Sequence, residues 1–254
     1  MSGQVDLDQI EDKIEGRVAR VPNLFLLDTS TSMKGSRIDQ VNNGLEQFVR
    51  EVAGDQEAEW AIDVSIVTFG GDISIEQPFE PVSDAWMGGD GNPNPPSLNA
   101  SGTTPMCEAI YEGLEHLEDY KDWLDGNGYT RKRALVWLLT DGEPDNGPGT
   151  SEWNAAQDMI ERGTGVPDDE DIHMFFFAAA VGDDAGKATL EELVSVGNQD
   201  VVAAFDLQEH MFEELFEVAS KSAKGSATGD GGETTEEMLP EDIEESDGSS
   251  SGQV

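Results

Sequence analysis

The residues best suited to chemistry in this 254-residue chain are oxygen donors. Asp28-Thr29-Ser30-Thr31-Ser32 alternates one carboxylate and two hydroxyls at 28, 30 and 32. Ser101-Gly102-Thr103-Thr104 adds further hydroxyls, and Thr140-Asp141-Gly142 a second carboxylate. None of the three stretches contains His, Cys or Lys. Such a donor set suits a hard divalent cation, Mg²⁺ first and Mn²⁺ or Ca²⁺ as alternatives, and suits zinc or copper poorly. Each stretch has a plainer reading when taken alone. Asp28 is then a turn former, Ser30 and Ser32 are helix caps, and Thr104 is an N-cap before Pro105.

Other chemistries fit the same residues less well. A phosphatase with an aspartate after its first strand needs a second one two positions on as general acid, and Ser30 stands there. A dinucleotide site needs a glycine-rich turn that DTSTSMKGS does not supply. The window 141–152 has acids at the first, third, fifth and twelfth positions of a calcium loop. Asn146 replaces its required glycine, Pro144 lies inside it, and a buried strand precedes it, so Glu143 and Asp145 read as solvated loop acids. The single cysteine, Cys107, excludes an internal disulfide framework and a multi-cysteine zinc site, and beside Met106 it reads as core. His116, His173 and His210 fall in separate elements.

The elements that must position these residues alternate along the chain. Apolar strands are expected at 23–28, 60–69, 134–139, 172–181 and 201–205, with a further strand at 73–77 across a Gly-Gly turn. Between them, helical spacing marks 38–49, 105–120, 151–162, 188–196 and 209–221. The continuous run ALVWLL reads as a central parallel strand covered on both faces. In such a sheet, ligands bind beyond the carboxyl ends of the strands, where the three oxygen-rich stretches lie. A loop over 84–102 is long enough to need a role, and Trp86 within it reads either as a partner contact or as a tack onto the body.

Charge bounds the partners. Lys and Arg number 14 against 54 Asp and Glu, giving a net −40. Such a surface repels nucleic acid and anionic membranes. No apolar run approaches the roughly 20 residues of a bilayer span, and MSGQVDLDQIEDK lacks the features of a secretory signal, so a cytoplasmic protein is expected. Only nine of the acids lie in 225–254. The remainder spread along the body, which reads as adaptation to a cytoplasm of high salt, where screening tempers self-repulsion. Segment 1–17 is expected as an N-terminal extension, 18–224 as the single domain, and 225–254 as a disordered acidic tail.

Asp28-x-Ser30-x-Ser32, a later threonine on a glycine-containing loop, and Asp141 in TDG resemble the metal-ion-dependent adhesion site of von Willebrand factor A domains. More narrowly, VPNLFLLDTSTSMKGSRIDQVNNGLEQF, PPSLNASGTTPM and LLTDGEPDN are similar to the tellurium-resistance TerY-like branch of that family. The resemblance implies an α/β, Rossmann-like fold, with a mostly parallel central sheet, one antiparallel edge strand and helices on both faces. It implies that Ser30 and Ser32 bind the metal through their hydroxyls, that Asp28 and Asp141 hold it directly or through water, and that Thr104 joins it when a ligand carboxylate arrives. Relatives usually carry Gly-Gly-Thr, whereas Thr103 fills the second glycine position here and competes with Thr104 for that role. The implied function is non-enzymatic: a metal-dependent protein-interaction module whose partner offers an Asp or Glu. Its setting would be a stress-response or phosphorylation-linked complex containing a kinase, phosphatase or ATPase. Two alternatives are a metal-assisted phosphohydrolase, disfavoured by the lack of Lys, Arg or His near the motifs, and a regulatory subunit of an AAA-type or chelatase machine.

Overall fold

Continuous apolar runs become central strands because a strand covered on both faces has no polar side to present. The computed structural model describes residues 18–86, 92–141, 143–165, 174–181, 184–207 and 212–228. In chain order the elements are β1 (Val21–Asp28), a 3₁₀ turn (Thr31–Met33), α1 (Ser36–Ala53), α2 (Gln56–Ala61), β2 (Ile62–Gly70), β3 (Asp72–Pro81), α3 (Val82–Ala85), α4 (Met106–Gly126), β4 (Ala134–Thr140), α5 (Ser151–Thr164), β5 (Met174–Val181), α6 (Asp184–Val194), β6 (Val202–Leu207) and α7 (Phe212–Thr228). Every residue of β1, β4 and β5 is buried.

The six strands are ordered β3-β2-β1-β4-β5-β6, all parallel except β3, which pairs antiparallel to β2 at the edge. The winding reverses between β1 and β4, the point in such sheets beyond whose carboxyl ends ligands bind. Asp28 closes β1 and Thr140 closes β4, side by side at that point.

Alternation along β1 builds two cores. Phe25 and Leu27 pack with Leu45 and Phe48 of α1 and Phe216 of α7, the Phe25 ring meeting Phe48 edge-on at 5.2 Å. Leu24 and Leu26 pack with Ile110 and Leu114 of α4 and Ile160 of α5. Cys107 belongs to this second core and donates to the Asn146 carbonyl at 3.1 Å; burial pushes its thiol up to about 12, which leaves it unreactive.

Some expectations shift. The strand expected over 60–69 begins at Ile62, and Gln56–Ala61 is a helical turn instead, started by Asp55, whose carboxylate accepts from the Ala58 amide at 3.2 Å. Trp60, expected inside the strand, is 40% exposed on that turn. Trp86 is buried against Phe48 at 6.3 Å, and its carbonyl accepts from the Asn94 amide at 2.6 Å, so it tacks the long loop to the body. The last helix runs to Thr228, four residues into the segment expected as tail. Segment 1–17, the tail beyond 228, His173 and His210 lie outside the described residues.

Candidate metal centre

Asp28 is fully buried at the end of β1, and both of its oxygens accept a bond. Oδ1 takes the Ser30 amide at 2.7 Å and Oδ2 the Thr140 hydroxyl at 2.6 Å, which ties the ends of β1 and β4 together. From there a chain of oxygens leads outward. Ser30 Oγ lies 2.8 Å from Ser32 Oγ, and Ser32 Oγ donates to Asp141 Oδ1 at 2.7 Å. Ser30 is buried and Ser32 exposed, so the chain passes from the core through an exposed hydroxyl to the covered side chain of Asp141. Burial is the main cause that pushes the Asp28 carboxyl above the usual carboxylate range. The Thr140 and Ser30 bonds oppose it, and the nearby Asp141 charge adds to it.

The 101–104 loop is locked beside this chain by backbone contacts. The Gly102 carbonyl accepts from the Thr31 amide at 3.1 Å and the Thr31 hydroxyl at 2.9 Å, and Ser101 N donates to the Thr29 carbonyl at 2.6 Å. The Thr103 carbonyl accepts from Gly71 N at 2.9 Å. Such a close approach demands glycine: a Cβ on Gly102, at φ +86°, would lie 2.3 Å from the Gly70 carbonyl oxygen. The Thr104 carbonyl accepts from Met106 N at 2.8 Å and Asp145 N at 2.9 Å, joining this loop to the one after β4. Thr104 is buried and Thr103 exposed. Among the described residues no non-glycine has positive φ, so Thr103 fills the second glycine position of the motif without backbone strain.

The structure therefore brings Asp28, Ser30, Ser32 and Asp141 into one hydrogen-bonded chain, with Thr104 linked to its flank through the backbone. It also adds a residue that the sequence reading missed. Arg37, in the first turn of α1, donates from Nη1 to Asp141 Oδ2. The expectation that no Lys, Arg or His stands near the motifs is overturned. A signal was available: a cation in the first turn of a helix faces the positive end of its dipole and needs a local counter-charge.

This donor set fits a hard cation. Among the described residues no group of three or more His, Cys, Asp or Glu is gathered, so an ion here relies on hydroxyls as well as carboxylates. Three of those oxygens already stand in contact, with spacings of 2.7 and 2.8 Å. The calcium-loop window does not compete, since Glu143 accepts from Thr189 on α6 at 2.7 Å and Thr150 caps α5 through the Trp153 amide. No helix among the described residues is long and apolar enough to cross a membrane.

Comparison with known proteins agrees with this architecture. The family model for the von Willebrand factor type A domain matches residues 24–218. Among solved structures, the PilB minor pilin from Streptococcus sanguinis superposes with a TM-score of 0.55 at 14% identity, over 85% of this chain and 64% of that one. The pilus adhesin SpaC from Lactobacillus rhamnosus GG gives 0.53 at 13% identity, over 82% and 31%. The domain of the type V pilus tip protein Mfa5 from Porphyromonas gingivalis gives 0.50 at 11% identity, over 82% and 96%. This chain thus spans less than two thirds of the pilin's length. No curated protein sequence matches it.

Proposed function

The chain belongs to the von Willebrand factor type A domain family, and we propose that it is a non-enzymatic, divalent-metal-dependent protein-interaction module. The observation that carries this reading is the oxygen chain from Ser30 through Ser32 to Asp141, anchored on buried Asp28. Ser30, Ser32 and Asp141 would hold the ion, Mg²⁺ in the first instance, while Asp28 orients Ser30 from behind. Thr104 is preferred over Thr103 as the residue that answers ligand binding, because its side chain lies on the buried side of the loop. Neutral hydroxyls in the shell leave the ion electrophilic toward one more oxygen, which an Asp or Glu of a partner protein supplies. The neighbouring cleft of about 280 Å³ is lined by polar groups, including Thr29, Thr68, Asp72 and Ser101, and suits a hydrated, polar partner surface.

The setting we propose is a cytoplasmic stress-response or phosphorylation-linked complex with a kinase, phosphatase or ATPase partner; it rests on the likeness to the TerY-like branch. Capture from a high-KCl lysate of the source cells tests the module, using wild type with Mg²⁺, wild type with chelator, and Asp141→Ala. A partner held only by wild type with Mg²⁺ is the expected result. Partners retained in all three arms would show an interaction independent of the ion.

Arg37 favours one second reading, a metal-assisted phosphohydrolase, since a guanidinium beside the site is what charge stabilisation of a phosphoryl group requires. Turnover of a phosphoester by wild type, lost in Asp141→Ala, would establish it.

A further inference from the structure

We propose that Arg37 is a built-in counter-ion that competes with the divalent cation for Asp141 and so sets the metal affinity of the site. The proposal rests on the metal reading above and deepens it. Asp141 is the carboxylate through which that reading has an ion bound, and its two oxygens are divided between Ser32 on one side and Arg37 on the other. The partners are 104 residues apart, brought together by the adjacency of β1 and β4.

Their exposure is unequal, and the inequality gives the pair a direction. The Asp141 side chain is fully covered, whereas that of Arg37 is 24% exposed. The carboxylate cannot reach water to satisfy itself, while the guanidinium can withdraw into solvent on its flexible stem. Asp28 and Asp141 bring two carboxyl groups into a mostly buried place, and Arg37 faces one of them. A divalent ion at the same oxygens would face both and would repel the guanidinium, so the two cations exclude each other. The position is also costly for an arginine, since the first turn of α1 already has positive dipole character and follows Gly35 rather than a side-chain cap. Arg37 is one of only 14 basic residues in the chain.

The test is calorimetric titration of the full chain with Mn²⁺, comparing wild type, Arg37→Gln and Arg37→Lys. Arg37→Gln removes the competitor and is expected to bind about tenfold more tightly, the equivalent of one charge-assisted hydrogen bond. Arg37→Lys keeps the charge and is expected to stay within about threefold of wild type. Without metal, Arg37→Gln should melt below wild type, and Mn²⁺ should close that gap. Equal or weaker binding by Arg37→Gln overturns the competition while leaving the metal site standing. Absence of Mn²⁺ binding in all three proteins overturns the metal reading, and this inference with it. Should Arg37→Gln not fold, wild type alone decides through its arginine side-chain NMR signals. The Arg37 resonance should move toward that of free arginine as Mg²⁺ is added, and an unmoved signal at saturation refutes displacement.

Discussion

Gly102 holds the loop beside the candidate metal centre in place through its backbone. Its backbone has φ +86°, and a Cβ there would stand 2.3 Å from the Gly70 carbonyl oxygen and 2.6 Å from Gly71 N. Both obstacles are backbone, so no side chain can swing aside. Gly102→Ala must therefore move the 101–104 loop away from the β2–β3 turn. The left-handed backbone costs about 1–2 kcal/mol for a residue with a Cβ. Moving the loop also weakens the two bonds that the Gly102 carbonyl accepts from Thr31, at about 0.5–1.5 kcal/mol each. The sum is about 2–5 kcal/mol, a large part of a typical domain's stability. Urea denaturation with and without Mn²⁺ measures it, and titration of the folded variant measures the metal. The loss should be accompanied by weaker Mn²⁺ binding, since Thr31 sits between Ser30 and Ser32. A stability change under about 0.5 kcal/mol, the ordinary range for surface substitutions, with unaltered Mn²⁺ affinity would refute the view that this crossing of backbones shapes the site.

Two further outcomes follow from buried groups. Trp86→Ala should cost about 3–5 kcal/mol in chemical denaturation, as expected for a large buried ring; a partner anchor with no packing role would leave stability unchanged. His116 has its pKa lowered by burial, and its ring stacks on Phe79 at 5.0 Å. The unfolded chain therefore binds the proton first, so this residue's contribution is present above the ordinary imidazole value of about 6.5 and is lost as pH falls below it toward the lowered folded value. The difference in stability between wild type and His116→Gln, followed through that window, should show this slope; a pH-independent difference would refute it.

The parts of the fold that could be read from the chain are those that short-range pattern controls. The ALVWLL run is β4, the spacing of Ile38, Val41, Leu45 and Phe48 is the buried face of α1, and Gly70-Gly71 turns the antiparallel edge, with Gly71 at φ +85°. Where a pattern had two readings, the chain alone misled. The stretch WAIDVSIVTF is apolar throughout its odd and even positions at the start, and only the cap at Asp55 marks Trp60 and Ala61 as helical. The candidate site was legible as a set of oxygen donors but not as a network. Which oxygens meet depends on β1 and β4 being neighbours. The bond from Thr140 to Asp28 spans 112 residues, and the pairing of Arg37 with Asp141 spans 104.

Charge balance differs between the two ends of the sheet, and the difference bears on the cation proposed for one of them. Near the amino end of β1, Asp63 is fully buried and meets one arginine in a fork: Arg20 donates from Nε to Oδ2 at 2.8 Å and from Nη2 to Oδ1, while Nη1 binds the Trp60 carbonyl at 2.6 Å. One carboxylate there is answered by one guanidinium, and no further ion is required. At the carboxyl end, the side chains of two carboxylates, Asp28 and Asp141, are covered, and Arg37 pairs with Asp141. Asp28 is left with an amide and a hydroxyl, which stabilise a negative charge without neutralising it. A buried charge without a counter-charge costs several kcal/mol, so the carboxyl end has an electrostatic deficit that the amino end lacks. Burial already pushes the Asp28 carboxyl above the usual carboxylate range, and a divalent ion at the proposed site would supply the missing counter-charge. The same sequence that is short of basic residues everywhere else thus places its two most buried arginine–aspartate pairs at opposite poles. At one pole the carboxylate is met by a guanidinium fork; at the other, among the described residues, Asp28 is met by an amide and a hydroxyl, beside the paired oxygens of Ser30 and Ser32.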